Sequence, residues 1–507
     1  MKKLLLLIIL MTYARVLLFS QHPTPGFVKD SLDIYIKRAL RKWNMPGVAV
    51  AIVKDGKVIL VKGYGKQSMA RKDSVDENTL FLIGSNTKAF TATILSWLNY
   101  EKKCTLDDKV VKWLPDFRMK DPWVTKELDL TDILCHRIGM ETFQGDFMYW
   151  TSDLTKTQVI EKFGQLTPVY DFRRQWGYTN AGFLIAGECI QKISNDSWES
   201  NVRNRILVPL QMNRTRALTA EMPLQKNIAE PHTLVFDTLK LIPCPSIDNL
   251  APAASISSSA SDMSHWLICL LDSGKYNGKQ VIPFSVIRDT RKPRSIVGNP
   301  EFSYNRTHFN VYGLGWELSD YEGSEIVSHT GGVNGFVSSV TLLPEEKLGV
   351  VVLTNTDQNY FYESLKWEIV DAYLNLPYRD YSDDFLRYFK RANEMERYTY
   401  KAQRDTIAMH KKPPTDLKNF TGRYINPVYG YLDIKKAGEL LTINFEHHPN
   451  LKGKLEYMDG NRFLCTYNDP TFGIKVIPFE LEKDKVISMQ LKVADFIEFT
   501  SYEFVKQ

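Results

Sequence analysis

From Gly47 to Gly65 the chain reads GVAVAIVKDGKVILVKGYG, two β-branched runs flanking Asp55-Gly56. That dipeptide favours a type I′ turn, so the stretch predicts a two-stranded hairpin. Upstream, between Val28 and Trp43, apolar residues recur at Leu32, Ile36 and Leu40, the spacing of an amphipathic helix. Downstream, Phe90, Ile94 and Leu98 repeat the same step and predict a helix from near Ser85 to a point before Cys104. Residues from about 106 to 300 read as mainly helical, with loops such as Pro243 to Ala253. Strand patterning returns at Tyr312. YGLGWEL and IVSHTGGVNGFVSSVTLLPEEKLGVVVLTN predict three or four strands, with one hairpin turning at Pro344-Glu345-Glu346-Lys347. Strands at both ends and helices between them predict an α+β layer architecture: one antiparallel sheet whose first and last strands meet, flanked by helices and carrying a helical insertion.

The texture changes after residue 379. Asp380 to Lys412 is rich in charge and tyrosine at helical spacing and stops at Pro413-Pro414, which predicts a helical linker over 380–414. Beyond it, short alternating segments are broken about every ten residues, at Asn426-Pro427, Ala437-Gly438, Asp459-Gly460 and Lys483-Asp484 among others. That rhythm predicts a separate all-β barrel or sandwich over 415–507.

The first twenty residues, MKKLLLLIILMTYARVLLFS, have a basic start, an apolar run and a small residue at Ser20. This is the layout of an export signal, so 1–20 is expected to be removed and the main domain to span 21–379. Tyr13 and Arg15 break the apolar run before it reaches membrane-spanning length, and no cysteine follows it until Cys104. The expectation is a periplasmic or secreted protein with no membrane span and no lipid anchor in the mature chain.

The 507 residues carry 64 Lys+Arg against 59 Asp+Glu, a net +5 that falls to +2 once Lys2, Lys3 and Arg15 leave with the signal. That balance excludes a nucleic-acid partner bound through phosphate neutralisation. The six cysteines form no Cys-x-x-Cys pair and there is no His-Glu-x-x-His, so no metal site is expected. They read as core filler with room for one bridge. No glycine-rich dinucleotide loop is complete, and no cofactor is expected. There is no Gly-x-Ser-x-Gly, which excludes an α/β-hydrolase nucleophile elbow.

One Ser-x-x-Lys occurs, Ser85-Asn86-Thr87-Lys88. At a helix start, positions i and i+3 share a face, so the lysine amine can reach the serine oxygen. A serine hydroxyl is a weak nucleophile that needs a base, and a lysine serves if burial keeps it neutral. Alone, the same four residues are equally an N-cap serine with a solvated lysine one turn on. Further motifs follow in order. Tyr178-Thr179-Asn180 stands 93 residues after Ser85, and His329-Thr330-Gly331 stands 151 residues after Tyr178.

With these three motifs in sequence, the chain resembles the serine β-lactamase and penicillin-binding family, in its class C-like branch with DD-carboxypeptidases, D-aminopeptidases and esterases. The segments Leu134-Cys135-His136-Arg137-Ile138-Gly139-Met140, Tyr312-Gly313-Leu314-Gly315-Trp316 and Gly331-Gly332-x-x-Gly335-Phe336 add to the likeness, which covers about 25–375. The tail, opening Phe420-Thr421-Gly422-Arg423-Tyr424, resembles a lipocalin-like domain appended to such hydrolases. The resemblance implies that Ser85 attacks a carbonyl and becomes acylated, with Lys88 and Tyr178 sharing the base role. It implies that Asn180 bonds the substrate amide or steadies Lys88, and that His329, Thr330 and Gly331 bind substrate. The oxyanion would lie between the N–H groups of Ser85 and Gly332.

Two positions depart from the family pattern. Phe172-Arg173 replaces a Pro-Gly turn before Tyr178, so that either the loop takes another path or Arg173 and Arg174 reach the cleft rim. His329 stands where many relatives carry lysine, and a histidine charge depends on pH where a lysine charge does not. That substitution points away from a dedicated β-lactamase and towards a D-Ala-type peptidase or esterase acting on small peptides, esters or peptidoglycan fragments. A true β-lactamase, and a receptor that binds penicillin or cell-wall fragments without turnover, remain the alternatives. The oligomeric state is not legible.

Overall fold

The computed structural model describes residues 23–298 and 304–507; the expected export signal lies outside them. The predicted hairpin forms from Gly47–Lys54 and Lys57–Gly65, with Asp55 (φ 52°) and Gly56 (φ 72°) both left-handed as a type I′ turn requires. Among the described residues eight strands make one antiparallel sheet. Gly47–Lys54 pairs with Leu348–Thr354, so the early and late strands meet as the sequence predicts. The order continues through Phe336–Leu343, Ser324–Val333, Glu317–Tyr321 and Asn310–Tyr312 to Ser295–Gly298. The last of these falls in the stretch read as helical, and its four residues are too few to carry a period.

Each face of the sheet is covered. One receives the helix Leu32–Lys42 and the helix Phe361–Tyr373 over Val48, Val50, Ile52, Val350 and Val352. The other buries Ala49, Ala51, Val351 and Leu353 against the helical insertion, in which Thr87–Tyr100, Asn180–Ser194 and Ala260–Leu271 are the main helices. Phe90 stacks on Trp266 at 4.5 Å in this layer. All six cysteines are unpaired, five of them buried, and Cys244 is exposed.

A helix of 28 residues, Tyr381–Ala408, follows the sheet domain. After it, eight strands from Gly422–Asn426 to Tyr502–Lys506 close into a barrel, each paired antiparallel with its neighbours and the last with the first. Phe420, Phe463 and Phe479 pack edge to face inside it. No helix among the described residues is long and apolar enough to cross a membrane.

Candidate active site

Ser85 lies in a single 3₁₀ turn, Gly84–Asn86, that runs directly into the helix Thr87–Tyr100. This turn touches the strand Ser324–Val333 backbone to backbone, and two glycines permit it. A Cβ on Gly84 (φ 53°) would stand 2.8 Å from the Gly332 nitrogen, and one on Gly331 would stand 1.9 Å from the Ile83 carbonyl oxygen. The neighbouring strand Glu317–Tyr321 ends at the pair Glu317–Ser328. From His329 onward the strand Ser324–Val333 therefore has an open edge. That edge borders a cavity of about 330 Å³ lined by Ser85, Tyr178, Asn180, His329, Thr330, Gly331 and Gly332. All the site residues expected from sequence thus meet at one place, Lys88 lying beneath Ser85.

Lys88 is fully buried. Its Nζ stands 3.0 Å from Ser85 Oγ and donates to Asn180 Oδ1 at 2.7 Å and to the Ala253 carbonyl at 3.0 Å. Burial holds its pKa well below the ordinary lysine value, against an upward pull from Asp146. Asn180 opens its helix and donates through Nδ2 to Asp146 Oδ2 at 2.5 Å, while the Tyr149 hydroxyl donates to the other Asp146 oxygen. Asp146 is a member of the site that sequence reasoning does not reach. Burial raises its pKa to about 7, against the hydrogen bonds from Tyr149 and Asn180.

Tyr178 lies with its ring beneath the lysine, Nζ 4.7 Å from the ring centroid. Burial lifts its phenol well above the usual value, only partly offset by a hydrogen-bonding contact with Ser85. The resting phenol is therefore neutral. His136, from the Leu-x-His-x-x-Gly segment, packs on the Tyr178 ring at 4.3 Å and accepts the Thr179 N–H through Nδ1 at 3.0 Å. It fixes the Tyr-Thr-Asn segment from behind.

His329 does not behave as a titrating carboxylate anchor. It is 1 % exposed, its Nδ1 faces the Thr330 carbonyl at 2.6 Å, and its Nε2 meets the Tyr312 hydroxyl at 2.8 Å. With Nδ1–H donating to the carbonyl, Nε2 is left to accept from Tyr312, the neutral tautomer. Burial, then the nearby Lys88, pushes its pKa down to about 3. Arg173 also stays away from the cavity: it is held by Asp129 at 2.7 Å and Asp132 at 2.6 Å, and neither it nor Arg174 lines the cavity. No Lys or Arg among the described residues borders the cavity apart from Lys88 below Ser85. Its walls are aromatic, with Phe143, Trp150, Trp176 and Tyr362, and its one carboxylate besides Asp146 is Glu317. The Glu317 side chain makes no hydrogen bond or ion pair among the described residues, and burial raises its pKa to about 7. One wall, Phe496, comes from the barrel.

No group of three or more His, Cys, Asp or Glu side chains among the described residues could hold a metal ion.

Comparison with known proteins places these features in context. The profile of the family described as Beta-lactamase matches residues 32–374, and that of a domain of unknown function (DUF3471) matches 408–506. The chain is 26% identical over 433 residues to "Unguisins hydrolase ungD" of Aspergillus violaceofuscus (strain CBS 115571), covering 79% of this chain and 75% of the relative. Among solved structures it is similar to the octameric penicillin-binding protein homologue from Pyrococcus abyssi, with TM-score 0.58 and 20% identity over 94% of this chain and 99% of that one. It is also similar to the D-stereospecific amidohydrolase from Streptomyces sp., with TM-score 0.53 and 20% identity over 64% of this chain and 94% of that one.

Proposed function

Because the chain belongs to the beta-lactamase family, whose members are generally hydrolases with a serine nucleophile, we propose that it is an exported serine hydrolase that cleaves an amide or ester through an acyl-Ser85 intermediate. The observation that carries this reading is the Lys88 amine, buried and depressed in pKa, 3.0 Å from the Ser85 hydroxyl. A neutral amine has two N–H bonds and one lone pair. Asn180 Oδ1 and the Ala253 carbonyl accept both N–H bonds, which leaves the lone pair for the serine proton.

In this account Lys88 takes the Ser85 proton as Oγ attacks the carbonyl carbon. The N–H groups of Ser85 and Gly332 stabilise the oxyanion, worth about 3–4 kcal/mol per well-placed donor. Tyr178 passes the proton to the departing amine or alcohol as the C–N or C–O bond breaks. A water then enters by the reverse proton path and releases the acid. The open edge from His329 to Val333 offers backbone groups to an extended substrate.

The cavity also narrows the substrate class. With His329 neutral and no guanidinium or ammonium on its walls, nothing is built to hold a free carboxylate beside the scissile bond. Glu317, once ionised above about pH 7, would repel one. D-peptide amides and esters without that carboxylate fit the site better than removal of a C-terminal D-alanine from a free acid. The hydrolase name of the fungal relative supports the same reaction class.

A panel of a D-alanyl-D-alanine peptide, its amide, nitrophenyl esters and a chromogenic cephalosporin, each run beside Ser85→Ala, tests this reading. Turnover of the amide or esters that vanishes in Ser85→Ala supports it. Fast turnover of the cephalosporin alone indicates a β-lactamase, and stable acylation without turnover indicates a receptor.

A further inference from the structure

The loop between the last two barrel strands, Lys485–Leu491 and Tyr502–Lys506, leaves the barrel and enters the catalytic domain. Glu498 on this loop has no solvent exposure. Its Oε1 accepts the Gly145 N–H at 2.6 Å and its Oε2 the Phe147 N–H at 2.9 Å, with Thr500 Oγ1 donating at 2.6 Å. Those two amides frame Asp146, on the short helix Asp146–Tyr149. The next residue of that helix, Phe147, is itself held by the barrel, its ring lying parallel to His448 at 4.8 Å and edge-on to Phe445 at 5.6 Å. The helix that carries Asp146 is thus clamped by the barrel through its backbone and its side chain. From Asp146 the contacts run through Asn180 to Lys88.

The same loop reaches the cavity directly. Phe496 lines it, and a Cβ on Gly332 would stand 3.4 Å from Phe496 Cε2, so the ring covers the backbone assigned to the oxyanion. On the other side of Tyr178, Phe499 packs on Phe143 at 5.5 Å.

We propose that the C-terminal barrel is a working part of the catalytic site: Glu498 is a positioning residue that fixes the Lys88 amine through Asp146 and Asn180, and Phe496 is a specificity-determining wall that limits the size of the acyl group. The proposal rests on the reading of Ser85 and Lys88 as nucleophile and base. Its physical basis is that a base must be held within a few tenths of an ångström of its proton donor, and a short four-residue helix does not hold itself. Glu498 supplies acceptors for two amides that otherwise have no helical partner. Replacing it with glutamine keeps the volume but puts an NH₂ against one of them, which turns an attraction into a repulsion.

The test uses the full-length chain with Ser85→Ala, Glu498→Gln, Glu498→Asp and Phe496→Ala. The readouts are thermal unfolding, the pH dependence of Ser85 phosphonylation by a fluorophosphonate, and hydrolysis of nitrophenyl acetate and nitrophenyl hexanoate. For Glu498→Gln the expected result is phosphonylation and kcat slowed at least tenfold, KM for the acetate within twofold, and a displaced acid limb of the pH profile, with partial recovery in Glu498→Asp. For Phe496→Ala the expected result is a hexanoate-to-acetate ratio of kcat/KM raised at least fivefold. A Glu498→Gln protein with an unmoved pH limb and unchanged kcat, or one that loses only thermal stability, overturns the positioning role. An unchanged ester ratio in Phe496→Ala overturns the wall. If the wild-type protein shows no labelling that depends on Ser85, the serine-hydrolase reading fails first. Ser85-dependent labelling that is indifferent to Glu498 and Phe496 sinks the barrel proposal alone.

Discussion

Substituting Asp146→Asn asks whether the carboxylate behind Asn180 sets the proton affinity of Lys88. Asparagine has the same shape, and its Oδ1 still accepts from Asn180 Nδ2, so the contact at 2.5 Å survives while the charge is lost. The carboxylate and the amine are joined by that hydrogen bond, one amide group and the 2.7 Å bond from Lys88. Two charges about 7 Å apart at an effective dielectric of about 20 interact by about 2.4 kcal/mol, which corresponds to about 1.7 pH units. The sign follows from the cause: Asp146 raises the Lys88 pKa, so neutralising it lets the pKa fall further. The neutral amine is the active form, so the acid limb of kcat/KM should move to lower pH by up to about 1.7 units. The shift is an upper bound because Asp146 itself is pushed up to about 7 and carries its full charge only above that pH. Stopped-flow hydrolysis of a nitrophenyl ester from pH 5 to 10 measures the limb. A limb that stays in place, or moves to higher pH, would refute the electrostatic link between Asp146 and Lys88.

Three further outcomes follow from the same geometry. Gly331→Ala sets a methyl 1.9 Å from the Ile83 carbonyl and must part the strand from the nucleophile turn. The expected cost is about 1–3 kcal/mol in denaturant unfolding together with a large loss of kcat, and an active, fully stable variant would contradict the close approach. His329→Gln should leave the acid limb of kcat/KM where it is, since the imidazole is uncharged down to about pH 3; loss of a transition near pH 6–7 would show that it titrates there. A substrate with an amidated or esterified group next to the scissile bond should exceed its free-acid counterpart in kcat/KM by tenfold or more, and equal rates would indicate an anion anchor elsewhere in the cavity.

Much of this site is local and therefore legible in the sequence. Ser85 and Lys88 are one turn apart, so helix geometry lets the amine reach the serine oxygen, and Asn180 and the Ala253 carbonyl hold it there at 3.0 Å. Tyr178 and His329 needed the order of motifs, because each on its own is an ordinary helix start or strand residue. The meeting of the first and last sheet strands was legible because β-branched runs stand at both ends of the helical stretch. Asp146 was not: a lone aspartate before an aromatic run signals nothing until folding brings it to Asn180, 34 positions away. The neutrality of His329 depends on its burial and on the Tyr312 hydroxyl, neither of which a motif encodes. Glu498 and Phe496 lie in a domain whose β rhythm was clear, but no pattern within that domain says where its loops point.

Intact-mass and peptide mass spectrometry of the full-length protein after reaction with a fluorophosphonate tests the central claim most directly. The account predicts a single adduct on the peptide containing Ser85, formed faster as pH rises through the Lys88 limb and absent in Ser85→Ala. An adduct on any other serine, or none at all on folded protein, would contradict it.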